Sequence, residues 1–440
     1  MTQQIGPTSM RTFTAIWMGQ MVSTIGSYMT NFAVIIWAWE LTGSATALAL
    51  VSFFSQLPRI PITLFAGIVV DRFNRKRLMM LGDTIAVFST IAIGLLYLTN
   101  NLQIWHLYLT GAFNSSFGQI QELAYSTSLT MIVPKHQYTR ASSMGSMLHY
   151  GSAIFSPALA GIFYPVIGLV GILLIDISTF AVAIATLLFI QIPQPPRPVA
   201  VKSDPERIWQ KLTFGFRYIF TKPGLSALLI FTSLFWFAHD LGGALYDPMI
   251  LARTGGNTQV LGSVSSAAGV GGVIGALIVS TWGGSKRRIH GILLGFIGAG
   301  LSKMVFGFGQ TPLIWIPAQF CSSLNFPLLG SSEIAIWLAK VAPDVQGRVF
   351  AAQSLVLQVV SISGTLIAGP IADYVLEPVL SPGGILAPAL GGIFGTGPGA
   401  GMAFLYVITS ICLLLVGLGG YAFYPLKHVE DIVPDHDAVV

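Results

Sequence analysis

The chain has 440 residues but only 39 charged side chains, 22 Lys and Arg with 17 Asp and Glu, which is 9 % of the sequence. Soluble domains carry roughly 25 % charged residues, whereas here hydrophobic residues make up 53 % and the mean hydropathy is +0.74. This composition excludes a soluble enzyme, a disordered protein and a nucleic-acid binder, despite the net charge of +5. Cys321 and Cys412 both lie in apolar runs, so no disulfide framework is indicated. The sequence is that of a polytopic membrane protein.

The apolar runs predict membrane-spanning helices. A span needs about 20 mostly apolar residues, and lipid admits only helices or closed barrels. Barrel strands would show short segments of alternating polarity, but helix-length apolar runs recur here. The first run is longer than a signal-peptide core and is predicted to be an uncleaved span. The twelve predicted spans cover about 13–38, 45–70, 78–98, 104–132, 140–166, 169–191, 225–250, 259–282, 289–309, 312–338, 347–376 and 402–424.

The basic residues give an independent test of this span count, because cytoplasmic loops are enriched in Lys and Arg. With the N-terminus in the cytoplasm, nineteen basic residues fall on the inner side and Arg253 alone on the outer side, while Arg59 and Lys303 fall within spans. We therefore predict a multi-pass protein with both termini in the cytoplasm. The inner residues are Arg11, Arg72, Arg75, Lys76, Arg77, Lys135, Arg140, Arg197, Lys202, Arg207, Lys211, Arg217, Lys222, Lys286, Arg287, Arg288, Lys340, Arg348 and Lys427.

A segment rich in Pro and charge, QIPQPPRPVAVKSDPERIWQ, follows the sixth span and is typical of an inter-domain linker. We predict a six-helix bundle over 1–192, a cytoplasmic linker over 193–224 and a second six-helix bundle over 225–440. Apolar residues at helical spacing predict an amphipathic helix within the linker. It lies either on the inner membrane surface or in solvent as a simple connection. These apolar residues are Ile208, Leu212, Phe216, Ile219 and Phe220.

The two halves resemble each other, as the basic cluster at 75–77 recurs at 286–288, an offset of 211 residues. Repeated halves of this kind are common among transporters, which build a site where the repeats meet. Further matches, at an offset of 213, are Gly151 with Gly364, Pro157 with Pro370, and Pro165 with Pro378. Between the last two spans, residues 378–401 are rich in Gly and Pro and predict an outer loop without a helix.

The loop after the second span reads AGIVVDRFNRKRLMMLGD. It resembles the signature of the major facilitator superfamily, G-x-L-A-D-R-x-G-R-K, with departures at Val69, Val70 and Asn74. Asn at position 74 still tolerates the left-handed backbone conformation that glycine would adopt. The residues that match the signature are Gly67, Asp71, Arg72, Arg75 and Lys76.

The resemblance implies a conformational latch and a twelve-helix, all-α fold in two pseudo-symmetric bundles. Asp71 is expected to face the N-terminus of span eleven near Arg348, where the helix dipole favours a carboxylate, and Arg75 is expected to add an ion pair. The alternative is a plain positive-inside loop. Similarity to the branch that includes macrolide-efflux proteins and the enterobactin exporter covers nearly the whole chain, in WMGQMVSTIGS, ELTGSATALAL, SPALAGIFY, IDISTF, GFRYIF and GRVFAAQS.

Span five carries SAIFSPALAG, which resembles the antiporter motif G-x-x-x-G-P-x-x-G-G of the same superfamily. Pro157 bends the helix, and small neighbours such as Ser156 and Gly161 allow span eight to approach closely. The stripe that contains Gly271 and Gly275 is the expected partner surface in span eight. The resemblance implies a seal against ion leak, and ordinary helix packing is the alternative.

Enzyme motifs are absent from the sequence. The run GVGGVIGA does not follow a strand, so it does not indicate a dinucleotide site, and no G-x-x-x-x-G-K-[ST] or H-E-x-x-H motif occurs. We therefore expect neither an enzyme nor a cofactor or metal site.

Charged groups inside spans are costly and are functional candidates. Glu122 and Glu333 lie 211 residues apart, which matches the repeat, and the resemblance places both on helices that line a central cavity. The hypothesis is that Glu122 is the leading proton carrier, that Asp240 beside His239 is the second, and that Glu333 shapes the cavity electrostatics. For each carboxylate the alternative is a structural hydrogen bond.

We expect the other charged residues within spans to have structural roles. Asp176 lies in the framework segment IDISTF, Arg59 and Asp83 are expected to pair with each other or with the backbone, and Lys303 is expected to extend outward to the membrane surface.

Polar residues on spans one and four predict a cavity suited to an amphipathic small molecule. Asn114 stands near the position where related proton antiporters keep a basic residue, which puts an Arg-assisted proton relay in doubt. The predicted polar lining comprises Gln20, Ser23, Ser27, Asn31, Asn114, Gln119 and Gln121.

Taken with the resemblance, the sequence predicts a monomeric transporter in a bacterial cytoplasmic membrane. It exports a drug-like or siderophore-like amphipathic molecule by alternating access, driven by protons. The alternatives are uptake, flipping of a lipid-like substrate, or a transport-inactive sensor or scaffold that retains the fold.

Overall fold

The structure is a computed structural model that describes residues 10–134, 137–190 and 205–435, and within these ranges it contains helices and no strand. The first half consists of α1 (Met10–Thr42), α2 (Ala45–Gln56), α3 (Arg59–Arg72), α4 (Arg75–Leu98), α5 (Ile104–Ile132) and α6 (Tyr138–Phe189). The remainder consists of α7 (Pro205–Phe220), α8 (Pro223–Gly243), α9 (Tyr246–Thr254), α10 (Thr258–Trp282), α11 (Arg288–Phe308), α12 (Pro312–Lys340), α13 (Pro343–Ile371), α14 (Glu377–Leu380), α15 (Ala387–Phe394), α16 (Ala400–Ala422), α17 (Tyr424–Lys427) and α18 (Val429–Ile432).

Several predicted spans differ in continuity from the helices observed. The second span is divided into α2 and α3 at Pro58, because a proline ring clashes with the preceding turn and lacks an N–H donor. The fifth and sixth spans run on as α6, which changes direction at Gly168, where φ is 64° and ψ is −171°. Only glycine adopts this backbone conformation without strain, so Gly168 marks the turn between the two spans.

Nine helical segments in the described part of the chain are long and apolar enough to cross a membrane. The helices α5 and α12 have 29 residues each but are not among the nine. The chain is therefore an α-helical membrane protein, and the number of twelve spans stays a prediction.

Contacts divide the chain into two compact units. The first comprises Met1–Thr42, Leu50–Lys202 and Leu261–Ser266, and the second comprises Gly43–Ala49, Ser203–Val260 and Ala267–Val440. The predicted boundaries at 192 and 224 stay predictions, and residues 191–204, which include the first part of the predicted linker, lie outside the described residues.

Each unit has its own apolar core. In the first unit the core includes Phe13, Met79 and Leu187, and in the second the rings of Phe235 and Phe296 stack with centroids 4.1 Å apart. Lipid is as apolar as these side chains, so helix association in a membrane depends on close packing rather than on exclusion of water.

The predicted linker helix is observed as α7, and it packs within the second unit. Ile219 is fully buried in the core of that unit. The side chain of Arg348 stacks on the Phe214 ring, 4.1 Å from its centroid. A Cβ at Gly215 would meet the backbone oxygen of Arg348, so glycine permits this close approach. The location of α7 on the membrane surface stays a prediction.

The prediction of an outer loop without a helix is wrong, because α15 forms within residues 378–401. Pro388 stands in the first turn of α15, where its fixed φ and missing N–H are tolerated, and Gly395 ends the helix with a φ of 78°. Arg253, the one basic residue assigned to the outer side, holds this segment. Its guanidinium donates to the backbone oxygens of Gly309, Phe394 and Gly399 at 2.7, 2.7 and 3.3 Å.

Candidate functional site

The first unit contains a polar pocket of about 340 Å³. Polar residues on one face of α1 supply much of its wall, because positions 20, 23, 24, 27, 30 and 31 recur at the three- and four-residue spacing of one helix face. The helices α4, α5 and α6 supply the carboxylate and amide groups opposite. The α1 residues are Gln20, Ser23, Thr24, Ser27, Thr30 and Asn31.

Asp83 on α4 lines one level of the pocket and is only 2 % exposed. It accepts a hydrogen bond from Gln20 Nε2 at 3.3 Å and another from Gln121 Nε2. A Cβ at Gly82 would lie 2.8 Å from the Gln121 side chain, so the glycine gives the amide room to reach the carboxylate.

Asp176 on α6 lines a second level and is 1 % exposed. Thr90 Oγ1 donates to it at 3.0 Å and Ser27 Oγ at 3.4 Å. Gly26 packs against this carboxylate, because a Cβ there would lie 3.0 Å from Asp176 Oδ1.

The two levels share the same pair of helices. Gln20 and Ser27 are seven residues apart on α1, and so are Asp83 and Thr90 on α4. At a rise of about 1.5 Å per residue, this spacing places the two carboxylates roughly 10 Å apart along the pocket.

The predicted cavity residues fall into two groups. Gln20, Asn31 and Asn114 line the pocket. Gln119 instead accepts a hydrogen bond from Arg59 Nε at 3.2 Å, and Glu122 has an exposed side chain and is not part of the lining. Its role in proton coupling stays a prediction.

The expected pairing of Arg59 with Asp83, or of either with the backbone, is wrong, because both residues bind side-chain amides. The sequence reasoning missed Asp83 and Asp176 as parts of one pocket. The available signal was the seven-residue spacing on α1 and α4, which aligns successive polar groups on one face of each helix.

The second unit contains the other candidate carboxylates. His239 Nδ1 lies 3.0 Å from Asp240 Oδ1, and both side chains are half-buried. Glu333 on α12 is 8 % exposed and accepts a hydrogen bond from Gln353 Nε2 at 3.0 Å. Glu122 and Glu333 therefore differ in burial although they occupy matching positions of the repeat.

The expectation that Lys303 extends to the membrane surface is wrong. Its side chain is 6 % exposed, and its Nζ donates to Tyr406 Oη at 3.2 Å. A hydroxyl and the aromatic ring beside it stabilise the ammonium inside the helix bundle, where water is scarce.

Two basic residues of the predicted latch, Arg75 and Lys76, donate hydrogen bonds to backbone oxygens. Arg75 donates to the Thr127 backbone oxygen at 2.7 Å, and Lys76 Nζ donates to the Leu188 and Ile190 oxygens at the end of α6, where a helix favours a cation. The exposed residue Arg72 ends α3.

The acidic side of the latch stays a prediction, since the side chain of Asp71 and the contacts of Gly67 lie outside the described set. Asn74 does not use the left-handed conformation that it could tolerate. Its φ is −65° and its ψ is 118°, and its side chain accepts a hydrogen bond from Arg77 N as the N-cap of α4.

The motif SAIFSPALAG on α6 contacts α10, but through residues of α10 other than the predicted ones. Gly262 approaches the backbone oxygen of Pro157 and the Cα of Gly161, and Ser266 Oγ donates to the Ile154 oxygen at 2.8 Å. Ser156 is fully buried, and its hydroxyl donates to the Ile25 oxygen on α1.

Gly271 and Gly275 were expected to face span five, and this is wrong. The backbone oxygens that a Cβ at these two positions would meet are those of Phe320 and Leu324 on α12.

A helical membrane protein with a polar pocket inside one bundle has the architecture of a transporter, and the sequence comparison identifies the class. A sequence profile described as Major Facilitator Superfamily matches residues 16–365, so the chain belongs to this family.

Two of the relatives that the chain resembles have names that describe export. The chain is 27 % identical over 366 residues to "Macrolide efflux protein A" of Streptococcus pyogenes, covering 82 % of this chain and 90 % of the relative. It is 22 % identical over 313 residues to "Enterobactin exporter EntS" of Shigella flexneri, covering 71 % and 72 %.

Solved structures share the fold. A bacterial homologue of the human lysosomal transporter Spinster, in an inward-facing and unoccupied conformation, aligns with a TM-score of 0.68 at 15 % identity over 95 % of this chain and 98 % of that one. A bacterial homologue of the iron transporter ferroportin aligns with a TM-score of 0.66 at 16 % identity over 93 % and 98 %.

Proposed function

We propose that the chain is a secondary active transporter that exports an amphipathic small molecule by alternating access, coupled to protons. The observation that carries the proposal is the pocket of the first unit, in which two buried carboxylates lie among polar and apolar side chains. Efflux by relatives that match most of the chain supports the outward direction. Apolar walls with a few placed polar groups suit a ligand that is partly apolar.

Proton coupling is proposed to use Glu122 first, Asp240 second and Glu333 as an electrostatic influence. A carboxylate that gains and loses a proton as its surroundings change can link transport to the proton gradient. Glu122 is exposed, Asp240 contacts His239, and Glu333 is buried against Gln353. Because the three environments differ, we expect neutralisation of each carboxylate to reduce proton-driven transport to a different extent, and most of all at Glu122.

The experiment uses everted membrane vesicles that contain the full chain and radiolabelled erythromycin as a probe. Uptake into the vesicles should require the proton gradient and should stop when a protonophore is added. Glu122→Gln should reduce gradient-driven uptake at least tenfold, which corresponds to about 1.4 kcal/mol. The matched control, Asp431→Asn, lies on the exposed tail and should transport normally. Undiminished coupling in Glu122→Gln would refute the assignment.

Two alternatives keep the fold but change the role. If the protein takes its substrate up, the probe should move across the membrane in the opposite direction. If it flips a lipid-like substrate, labelled lysophospholipid should move from one leaflet to the other. A sensor or scaffold predicts no gradient-dependent flux of any probe and no effect of Asp71→Asn. The proposal requires Asp71→Asn to reduce transport, because Asp71 is assigned to the latch.

The topology belongs to the same proposal. Twelve spans in two six-helix bundles, with both termini in the cytoplasm of a bacterial cell, follow from the bias of basic residues. Reporter fusions after residues 100, 256 and 440 test it. An outer-side signal at 100 and 256 with an inner-side signal at 440 is expected. A single monomer should be the transporting species, which cross-linking in membranes checks.

A further inference from the structure

The charge balance of the pocket in the first unit identifies the kind of molecule it accepts. Asp83 and Asp176 line it, and the described residues of its lining include no Lys, Arg or His. The groups that donate hydrogen bonds to them are neutral, namely the amides of Gln20 and Gln121 for Asp83 and the hydroxyls of Thr90 and Ser27 for Asp176. An ionised carboxylate away from water is costly without a positive charge nearby.

A second feature indicates that the pocket is built for an occupant. Asn114 lines the pocket, and its buried side-chain carbonyl oxygen has no hydrogen-bond partner among the described residues. Buried polar groups are normally paired, so an unpaired oxygen in the wall of this pocket indicates a ligand that donates hydrogen bonds or carries positive charge.

The remaining wall determines what else the ligand must be. Val34, Ile93, Leu107 and Phe180 add apolar surface beside the two carboxylates. The volume of about 340 Å³ lies at the lower end of the range for drug-sized ligands. A hydrated inorganic ion would leave this apolar surface unused, whereas a lipophilic cation would cover it.

We propose that the pocket binds the positively charged group of an amphipathic organic cation, with Asp83 and Asp176 as its counter-charges. The proposal rests on the proposed function and narrows its substrate class from amphipathic molecules in general to cationic ones. Asn114 matters here because it contributes a neutral amide, and a basic residue at this position would neutralise the site.

The test compares two probes of the same shape and opposite charge, tetraphenylphosphonium and tetraphenylborate. Binding to the purified full chain in neutral detergent is measured by equilibrium dialysis, with empty micelles as the reference. We expect saturable binding of tetraphenylphosphonium and at least tenfold weaker binding of tetraphenylborate. Equal binding of the two ions would overturn the proposal.

Three variants locate the binding. Asp83→Asn and Asp176→Asn should each weaken tetraphenylphosphonium binding about tenfold or more, because each removes one charge from a poorly solvated site. Asn114→Arg should abolish the binding by placing a cation in the pocket. Asp431→Asn, on the exposed tail, should bind like the unmodified chain.

Gel filtration and thermal unfolding monitor the folding of each variant. If the Asp variants do not fold, the test rests on a folded Asn114→Arg chain. Retained binding of tetraphenylphosphonium by that chain would overturn the proposal.

Failure of this inference is distinguishable from failure of the transport proposal. If vesicles export erythromycin but the purified chain binds neither probe through these carboxylates, the transporter assignment stands and the cation site does not. If the chain binds tetraphenylphosphonium through Asp83 and Asp176 but moves no probe across a membrane, the site stands and the transporter assignment does not.

Discussion

Ser44 Oγ donates to Asp373 Oδ2 at 2.6 Å, and the same carboxylate accepts from the backbone N–H groups of Ala45 and Thr46 at 3.2 and 2.8 Å. The first N–H groups of a helix have no partner within the helix, so Asp373 caps α2 from a distant part of the chain. Gly369 makes this possible, because a Cβ there would collide with the Thr46 backbone.

Removal of this cap should loosen the start of α2. We expect Asp373→Ala to destabilise the local structure by about 1 kcal/mol, which is typical for the loss of a capping group. Hydrogen exchange followed by mass spectrometry should show faster exchange at the amides of 45–49. Residues 410–420, which lie within α16, provide the internal control. Unchanged protection at 45–49 would show that the cap adds no stability.

Arg253 is expected to be required for order in the outer segment that contains α15. Its planar guanidinium reaches three backbone oxygens at once, which a lysine ammonium cannot reproduce in the same geometry. Arg253→Lys keeps the charge and should still cost roughly 2 kcal/mol, since hydrogen bonds from charged groups contribute about 1.5–3 kcal/mol.

The measurement is the rate of limited proteolysis within residues 387–399, which should be faster in Arg253→Lys. The control is Lys427→Arg, the reverse substitution outside this segment, which should leave the rate unchanged. Equal cleavage of Arg253→Lys and the unmodified chain would contradict the role given to the guanidinium.

The sequence predicts the family and the helical elements, because each depends on local pattern. The residues around Asp71 form a contiguous motif, and apolar runs define helices without reference to their neighbours. The pocket is different. The bond between Gln121 and Asp83 depends on how α4 and α5 are rotated about their axes, and hydropathy does not determine that rotation in an environment of lipid.

The same reason explains the errors on individual side chains. Lys303 was expected at the surface because long basic side chains near helix ends extend outward, but Tyr406 offers a buried partner from a helix about 100 residues away in sequence. Gly271 and Gly275 form a recognisable small-residue stripe, yet a stripe does not specify which helix packs on it. Rules for single helices cannot supply tertiary partners.

Gly26 is expected to tolerate no side chain. A Cβ there would collide with Thr179 Oγ1 and lie 3.0 Å from Asp176 Oδ1, so Gly26→Ala must displace the pocket carboxylate or separate α1 from α6. Overpacking of this kind costs about 1–3 kcal/mol, and thermal unfolding should show it. The matched control is Gly330→Ala on α12, where a Cβ meets nothing within 4 Å and helix propensity favours alanine. A Gly26→Ala chain as stable as the control would show that this contact can relax.

The C-terminal tail should be held by charge in a pH-dependent way. Asp431 accepts a hydrogen bond from His428 and pairs with Arg287 at 3.0 Å, and the bond from His428 is the main reason that its pKa lies below the ordinary value of 3.8. A carboxyl whose pKa is lower in the folded state stabilises that state above its unfolded pKa, and the contribution is lost as the pH falls through the folded pKa. The tail also contributes Glu430, whose carboxylate accepts from Ile289 N at the start of α11.

We therefore expect Asp431→Asn to unfold at a lower temperature than the unmodified chain at pH 7, by a small margin because the pair is exposed. The difference between the two chains should shrink below pH 4 and vanish when Asp431 is protonated in the folded state. Melting curves from pH 7 to pH 3 in the same detergent test this, with Asp435→Asn as a neighbouring variant that leaves the His428 contact intact. A difference that is constant across this range would show that Asp431 acts through packing rather than through its charge.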